Sequence, residues 1–143
     1  LYMMPNLAPD REQQLLEYLA IKQRILARDP DSIDAARDVA LGHKNLSGLY
    51  RMREKKANGR YHAEKAAEID ERIATREGSP RSRMDLAISY SVLADTFHDQ
   101  GDDARYVELH EKSVREREAV AKQDPANQFY RERLFIGRVN LAI

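Results

Sequence analysis

Residues 85–97 read DLAISYSVLADTF, and large apolar or aromatic side chains recur in this stretch at Leu86, Tyr90, Leu93 and Phe97. These positions follow one another at intervals of four, three and four residues. That spacing places them on one face of an α-helix, because a helix turns once in about 3.6 residues. The stretch therefore predicts an amphipathic helix that buries this face against a neighbour.

Similar stretches occur before and after this one. Residues 38–50 read DVALGHKNLSGLY and residues 133–142 read RLFIGRVNLA, so the pattern recurs after 47 and then 48 residues. The intervening segments also correspond, since residues 29–30 and residues 124–125 are both Asp-Pro. A fixed period of this kind is typical of repeat proteins, whose units share a core with their neighbours.

Each repeat is predicted to contain two helices. Residue periodicity and the breaks at Gly101-Asp102 and Asp124-Pro125 predict six helices in all. Asp10 is the expected N-cap of the first helix. The connections are short, so consecutive helices are expected to run antiparallel. The predicted helices span residues 10–29, 32–54, 59–77, 81–99, 103–123 and 127–142.

Composition supports an all-α protein and limits the partners. Apolar residues make up 42% and charged residues 34% of the 143 positions, while Gly (6) and Pro (5) are few. The 24 basic and 24 acidic residues cancel, so no long-range attraction to nucleic acid or to an anionic membrane is expected. The apolar runs are too short to cross a bilayer.

The lack of cysteine gives an expectation about the cellular compartment, and the first residue gives one about the N-terminus of the chain. The sequence has no Cys, which fits a reducing environment and excludes disulfides and thiolate metal sites. We therefore expect a cytoplasmic protein. The chain begins at Leu1 rather than Met, so we expect the natural N-terminus to be missing and residues 1–9 to be a tail or linker.

The repeated stretch resembles the tetratricopeptide repeat. The matching positions are Tyr90, Leu93, Ala94, Phe97 and Gly101 in one unit, and His43, Leu46, Ser47 and Tyr50 in the unit before it. Glu54 stands where this pattern has a turn Gly, and the period exceeds the usual length of about 34 residues. The chain is most similar to the long-helix subtype, as in kinesin light chain and bacterial arrays. The resemblance implies that residues 10–143 are a repeat domain, and we expect it to be a fragment of a longer array.

The resemblance implies a right-handed superhelix whose first helices line a concave groove for a peptide or protein partner. By register, the groove residues are expected to be Leu41, Lys44, Asn45, Gly48, Arg51, Met52, Ile88, Ser91, Asp95, His98, Ile136, Val139 and Asn140. Relatives that bind chaperone tails hold the terminal carboxylate with Lys and Asn. Lys44 fits this pattern, but Gly48 and Asp95 occupy the Asn places, and Asp95 would repel a carboxylate. We therefore disfavour a chaperone-tail receptor.

Two charged clusters mark the predicted hairpin tips. One is basic (Arg51, Arg53, Lys55, Lys56, Arg60, Lys65), and the other is acidic (Asp95, Asp99, Asp102, Asp103). The basic tip could bind an anion or nucleic acid, or could simply be solvated. We favour a third interpretation, in which consecutive tips lie side by side and partly neutralise each other.

Candidate sites for chemistry are weak. His98 beside the acidic tip could suggest a metal site, although ligation needs converging ligands of fixed geometry. His43 and His110 replace aromatic residues of the repeat, so we expect them to pack rather than to ligate or catalyse. The sequence has no Gly-rich phosphate loop, no Gly-x-Ser-x-Gly and no Cys nucleophile. We expect no enzyme activity, metal or cofactor.

The sequence thus predicts a non-catalytic scaffold that binds a peptide or protein. The alternative is a structural module that self-associates through exposed apolar terminal helices. This alternative rests on the helix at residues 127–142, whose end carries Val139, Leu141 and Ile143. An open apolar face of this kind requires a cap or a partner.

Overall fold

The computed structural model describes residues 10–142, and all regular structure in this range is helical. The helices are α1 (Arg11–Arg28), α2 (Ile33–Met52), α3 (Lys56–Glu77), α4 (Pro80–His98), α5 (Asp103–Gln123) and α6 (Gln128–Ala142). The predicted all-α class and its six helices are confirmed for the described residues. The tail or linker predicted at residues 1–9 and the apolar end at Ile143 lie outside them.

The chain forms two compact units that divide between Ile69 and Asp70, within α3. Unit 1 contains α1, α2 and the first part of α3, and α1 packs along α2. Unit 2 contains the end of α3 and helices α4 to α6, and α5 packs against both α4 and α6. We call α2, α4 and α6 the first helices of the repeats, and α1, α3 and α5 the second helices.

Each unit has its own apolar core. In unit 1 the buried side chains come from α1 and α2, and Leu26 and Ile69 pack against them. In unit 2 the core joins Met84 and Ala87 of α4 to Val120 of α5, with Tyr130 of α6 against it. The buried set of unit 1 is Leu15, Leu19, Val39, Leu46, Leu49 and Tyr50.

The first helices begin with the same local structure. Ser32 Oγ accepts a hydrogen bond from the Ala35 N–H at 3.1 Å, and Ser79 Oγ accepts one from the Ser82 N–H at 3.2 Å. Asn127 Oδ1 accepts from the Tyr130 N–H at 3.4 Å. These N-caps satisfy backbone donors that have no partner inside the helix. They are 47 and 48 residues apart, which is the interval of the sequence pattern.

A small residue follows ten positions after each of these caps. A Cβ at Gly42 would lie 3.2 Å from Leu19 Cδ1, and a Cβ at Gly137 would lie 3.5 Å from Val114 Cγ2. Ser89 takes the corresponding place in α4, and it is fully buried. Small side chains let the first helix approach the preceding second helix closely. The local geometry therefore repeats with the period of the sequence.

The helix ends differ from expectation at Asp10 and Gly59. Asp10 stands at the N-cap position of α1, but its side chain caps no backbone N–H. Its carboxylate instead accepts a hydrogen bond from Gln14 Nε2 at 3.1 Å. The third helix was predicted to start at residue 59, whereas α3 starts at Lys56. Gly59 is buried there, and its carbonyl accepts a 2.8 Å hydrogen bond from Ser47 Oγ of α2.

None of the described helices is both long enough and apolar enough to cross a membrane.

Candidate partner-binding surface

The outer face of α2 carries the groove residues predicted for unit 1. Leu41, Asn45, Gly48 and Met52 follow one another at intervals of four, three and four residues, so they form one stripe. Leu41 is 47% exposed and Met52 is 50% exposed. A Cβ at Gly48 would meet nothing within 4 Å, which leaves open space in the middle of the stripe. Lys44 and Arg51 flank the stripe and are partly buried.

The corresponding face of α4 is more strongly tied to its own unit. Ile88 is exposed, but the three polar groove residues each lie near a side chain of α5. The hydroxyls of Ser91 and Ser113 are 2.9 Å apart. Asp95 Oδ1 is 3.5 Å from His110 Nε2, and His98 Nδ1 is 3.4 Å from Asp103 Oδ1. In α4, therefore, the three polar groove residues also contact α5, and Ile88 is the exposed aliphatic side chain among the predicted contacts.

On α6 the predicted residues Ile136, Val139 and Asn140 are all exposed. Phe135 beside them is the most exposed of the large apolar side chains described, at 68%. The opposite face of α6 packs on α5, where Arg117 Nη1 donates a 2.8 Å hydrogen bond to the Arg133 carbonyl. The structure thus places six of the predicted groove residues together on α2 and distributes the other seven over α4 and α6. A common groove for all of them stays a prediction.

The basic tip is partly neutralised within unit 1. Arg53 Nη1 lies 3.0 Å from Glu12 Oε2, and the Tyr50 hydroxyl donates a 2.8 Å hydrogen bond to Glu12 Oε1. Burial and this hydrogen bond raise the pKa of Tyr50 to about 12. Lys65 Nζ is 3.8 Å from Glu68 Oε2. These contacts favour a structural role for the basic tip, while its predicted pairing with the acidic tip stays a prediction.

Three side chains of the acidic tip also have structural contacts. Asp102 caps α5, because its carboxylate accepts from the Arg105 N–H at 3.1 Å. Asp95 and Asp103 lie near the two histidines described above. Within residues 10–142, no three His, Asp or Glu side chains converge as a metal site would require.

His43 and His62 form a buried pair in unit 1. Their Nδ1 atoms are 2.9 Å apart, so one ring donates a hydrogen bond and the other accepts it. Burial, followed by the nearby His62 and Lys65, lowers the pKa of His43 to about 4. Burial also lowers the pKa of His62, and Tyr50 stacks on its ring with centroids 5.5 Å apart. The predicted packing role of His43 is confirmed.

His110 is likewise buried, and its ring centroid lies 4.5 Å from that of Tyr106. Its predicted packing role is therefore also confirmed. Sequence reasoning missed two buried polar groups. His62 is 19 residues from His43, and Arg117 belongs to the alternating charges of residues 115–118, a pattern typical of a solvated helix face. Burial and the neighbouring Arg133 lower the pKa of Arg117. The small Gly137, across from Arg117, was the signal that could have indicated this packing.

Searches against models of protein families, curated proteins and solved structures found no match. Membership in the tetratricopeptide family therefore stays a prediction. The function of this chain is accordingly inferred from the surface that it presents.

Proposed function

We propose that this chain is a non-catalytic interaction domain of the tetratricopeptide type, in which the outer faces of the first helices bind a peptide or protein. One observation carries the proposal. Leu41 of α2, Ile88 of α4 and Ile136 of α6 are 47 and 48 residues apart, and they are 47%, 38% and 42% exposed. The same position of each first helix thus offers an aliphatic side chain to solvent.

Recurrence distinguishes these residues from ordinary surface apolar groups. A single exposed aliphatic residue is common and needs no explanation. Three at equivalent positions on first helices suit a ligand whose own apolar side chains recur along its length. Such ligands include an extended peptide and an amphipathic helix. The polar neighbours Asn45 and Asp95 would then supply hydrogen bonds that orient the ligand.

In the proposed architecture the helical hairpins stack as a right-handed solenoid, and these three positions line its concave side. Two repeated features support this arrangement. The N-caps at Ser32, Ser79 and Asn127 share one hydrogen-bond pattern, in which the side chain accepts from the backbone N–H three residues later. The small residues Gly42 and Gly137 allow equivalent close contacts with the preceding helix. Repeats that pack locally in the same way generate a regular superhelix.

A displayed library of random peptides provides the test. A peptide enriched on the wild-type protein is labelled, and its affinity is measured by fluorescence anisotropy for wild type, Leu41→Glu and Ile88→Glu. We expect each substitution to weaken binding about fivefold or more, since loss of an apolar anchor costs above about 1 kcal/mol. Circular dichroism checks that each variant keeps its helices.

Val107→Glu is the matched control. Val107 is 41% exposed on the second helix α5, outside the proposed surface. We expect this variant to bind the peptide within about twofold of wild type. Failure to enrich any peptide would contradict the proposal, as would equal loss of binding in Val107→Glu and Leu41→Glu.

A further inference from the structure

Helices α1 and α6 each present an exposed apolar face in the described part of the chain. On α1, Ile21 and Ile25 are 47% and 45% exposed, and they lie one turn apart. On α6, Phe135 and Val139 are exposed and also lie one turn apart. The contact between α4 and α5 in unit 2 shows what such faces are suited to bind.

In that pair, one face of α4 receives one face of α5. Ser113 Oγ of α5 donates a 2.7 Å hydrogen bond to the Ala87 carbonyl, and Val120 is buried against Met84 and Ala87. At the same contact, Arg83 Nη1 lies 3.2 Å from Glu116 Oε2. A first helix thus uses the face of Ala87, and the following second helix uses the face of Ser113, Glu116 and Val120.

The repeat register identifies the residues of α6 and α1 that correspond to these two faces. A shift of 48 residues relates Ala87 to Phe135 and Ser91 to Val139, so α6 leaves open the face that α4 uses to receive α5. A shift of 95 residues relates Glu116 to Ile21 and Val120 to Ile25, so α1 leaves open the face that α5 uses against α4. Val120 is completely buried, whereas Ile25 is half exposed. The two open faces are therefore the two halves of one contact.

We propose that α6 of one copy packs against α1 of a second copy, so that the chain associates head to tail. A contact between two different faces leaves one face of each kind free in a singly joined pair, so further copies can add until the assembly closes on itself. Ile21 and Ile25 of one copy would lie near Phe135 and Val139 of the next. The two faces are more apolar than their equivalents in unit 2, where Glu116 and Ser91 stand in place of Ile21 and Val139.

Charge does not oppose this association. The formal net charge is zero, so copies of the chain have no long-range electrostatic repulsion at neutral pH, a condition that promotes self-association. The side chains at the proposed contact are also larger than Ala87 and Ser113, which lie at the contact between α4 and α5. The two helices should therefore stand further apart than α4 and α5.

Sedimentation velocity of two capped variants tests the proposal. Ile25→Glu blocks the α1 face and Phe135→Glu blocks the α6 face, and both sites are exposed enough to keep the fold. We expect the average mass of wild type to rise above that of a monomer between about 1 and about 500 µM, a range suited to weak association. Each variant alone should remain monomeric. An equimolar mixture should form a one-to-one dimer, because it contains one intact copy of each face.

Val107→Glu, which alters a comparably exposed apolar residue on α5, should associate like wild type. A wild-type protein that stays monomeric over the whole range would overturn the proposal and leave these faces to another partner. Association of Ile25→Glu at the wild-type level would also overturn it, since a symmetric contact of α6 with α6 needs no α1 face. Failure of the mixture to form a dimer would have the same meaning.

Discussion

At the scale of single residues, the buried pair formed by His43 and His62 should make the stability of unit 1 sensitive to pH. The 2.9 Å contact between their Nδ1 atoms needs a neutral ring as acceptor. Protonation of both rings would remove the acceptor and place two positive charges together in a buried site. Lys65 adds to this cost, since its charge contributes to lowering the pKa of His43.

We expect acid to destabilise the protein through this pair. An unfolded His takes up a proton near pH 6.5, whereas the lowered pKa of folded His43 keeps its ring neutral down to about pH 4. The unfolded state therefore binds more protons between these values, and the free energy of unfolding should fall as the pH drops from about 6.5 towards 4. A loss on the order of 1–3 kcal/mol is expected, measured by urea unfolding at several pH values.

Two variants separate this effect from the titration of carboxylates. His43→Phe should reduce the loss between neutral and acidic pH, because it removes the ring with the strongly lowered pKa. His98→Gln should keep the full loss, because His98 is exposed. Equal stability of wild type at pH 7.5 and pH 4.5 would contradict this account of the pair.

Two helical glycines should respond in opposite directions to Ala. A Cβ at Gly48 meets nothing within 4 Å, so Gly48→Ala should raise the free energy of unfolding by about 0.5–1 kcal/mol through helix propensity. A Cβ at Gly137 would lie 2.9 Å from Arg117 Cδ. Arg117 is held by hydrogen bonds to Arg133 and Ser113, so Gly137→Ala should lower stability by about 1–3 kcal/mol. Stabilisation by both substitutions in denaturant titrations would show that Arg117 moves aside without cost.

At the scale of helices, α2 and α4 end with the same motif on different residues. The Lys55 N–H donates to the Tyr50 carbonyl at 2.8 Å, and the Asp102 N–H donates to the Phe97 carbonyl at 2.9 Å. The residue before each donor has a positive φ, which is 58° at Glu54 and 78° at Gly101. This pattern is the Schellman motif, which favours Gly at that position. The turn at Glu54, which lacks the Gly of the repeat pattern, therefore differs in residue type but not in backbone shape.

Exchanging these residue types should change stability in opposite directions. Glu54→Gly should stabilise the protein by about 0.5–1 kcal/mol, because Gly adopts a positive φ without steric cost. Gly101→Ala should destabilise it by about 1 kcal/mol through backbone strain alone, since a Cβ there would meet nothing within 4 Å. Thermal unfolding measures both variants. A loss of stability in Glu54→Gly would show that the Glu side chain itself stabilises this turn.

At the scale of the whole molecule, cancelling charges should prevent binding to nucleic acid. Zero net charge removes the long-range attraction, and Arg53 of the basic tip is already paired with Glu12. We expect a labelled DNA duplex to bind more weakly than about 100 µM at about 150 mM salt in an anisotropy titration. Micromolar binding that weakens steeply with salt would contradict this expectation and identify the basic tip as an anion-binding site.

Much of this architecture follows from local patterns in the chain. Apolar positions spaced by three and four residues predict the helices, because the helical turn has a fixed length. Ser32 and Ser79 precede two of them as capping residues. The main boundary error is at the start of α3, where the low helix propensity of Gly59 suggested a helix that begins there. A contact of Gly59 with α2 outweighs this propensity, so the helix includes the residues before it. The groove residues were assigned from the register of the resembled repeat, and Leu41 and Met52 among them are exposed on α2.

Contacts between distant positions could not be read in this way. The partners His43 and His62 are 19 residues apart, and Arg117 is buried through helices α4 and α6. Side-chain spacing shows which residues share a helix face, but it does not show which face of a neighbour they meet. Helix positions along the chain therefore follow from short-range periodicity and capping. The burial of polar side chains depends on how close two helices come, and that distance is set by packing between residues far apart in sequence.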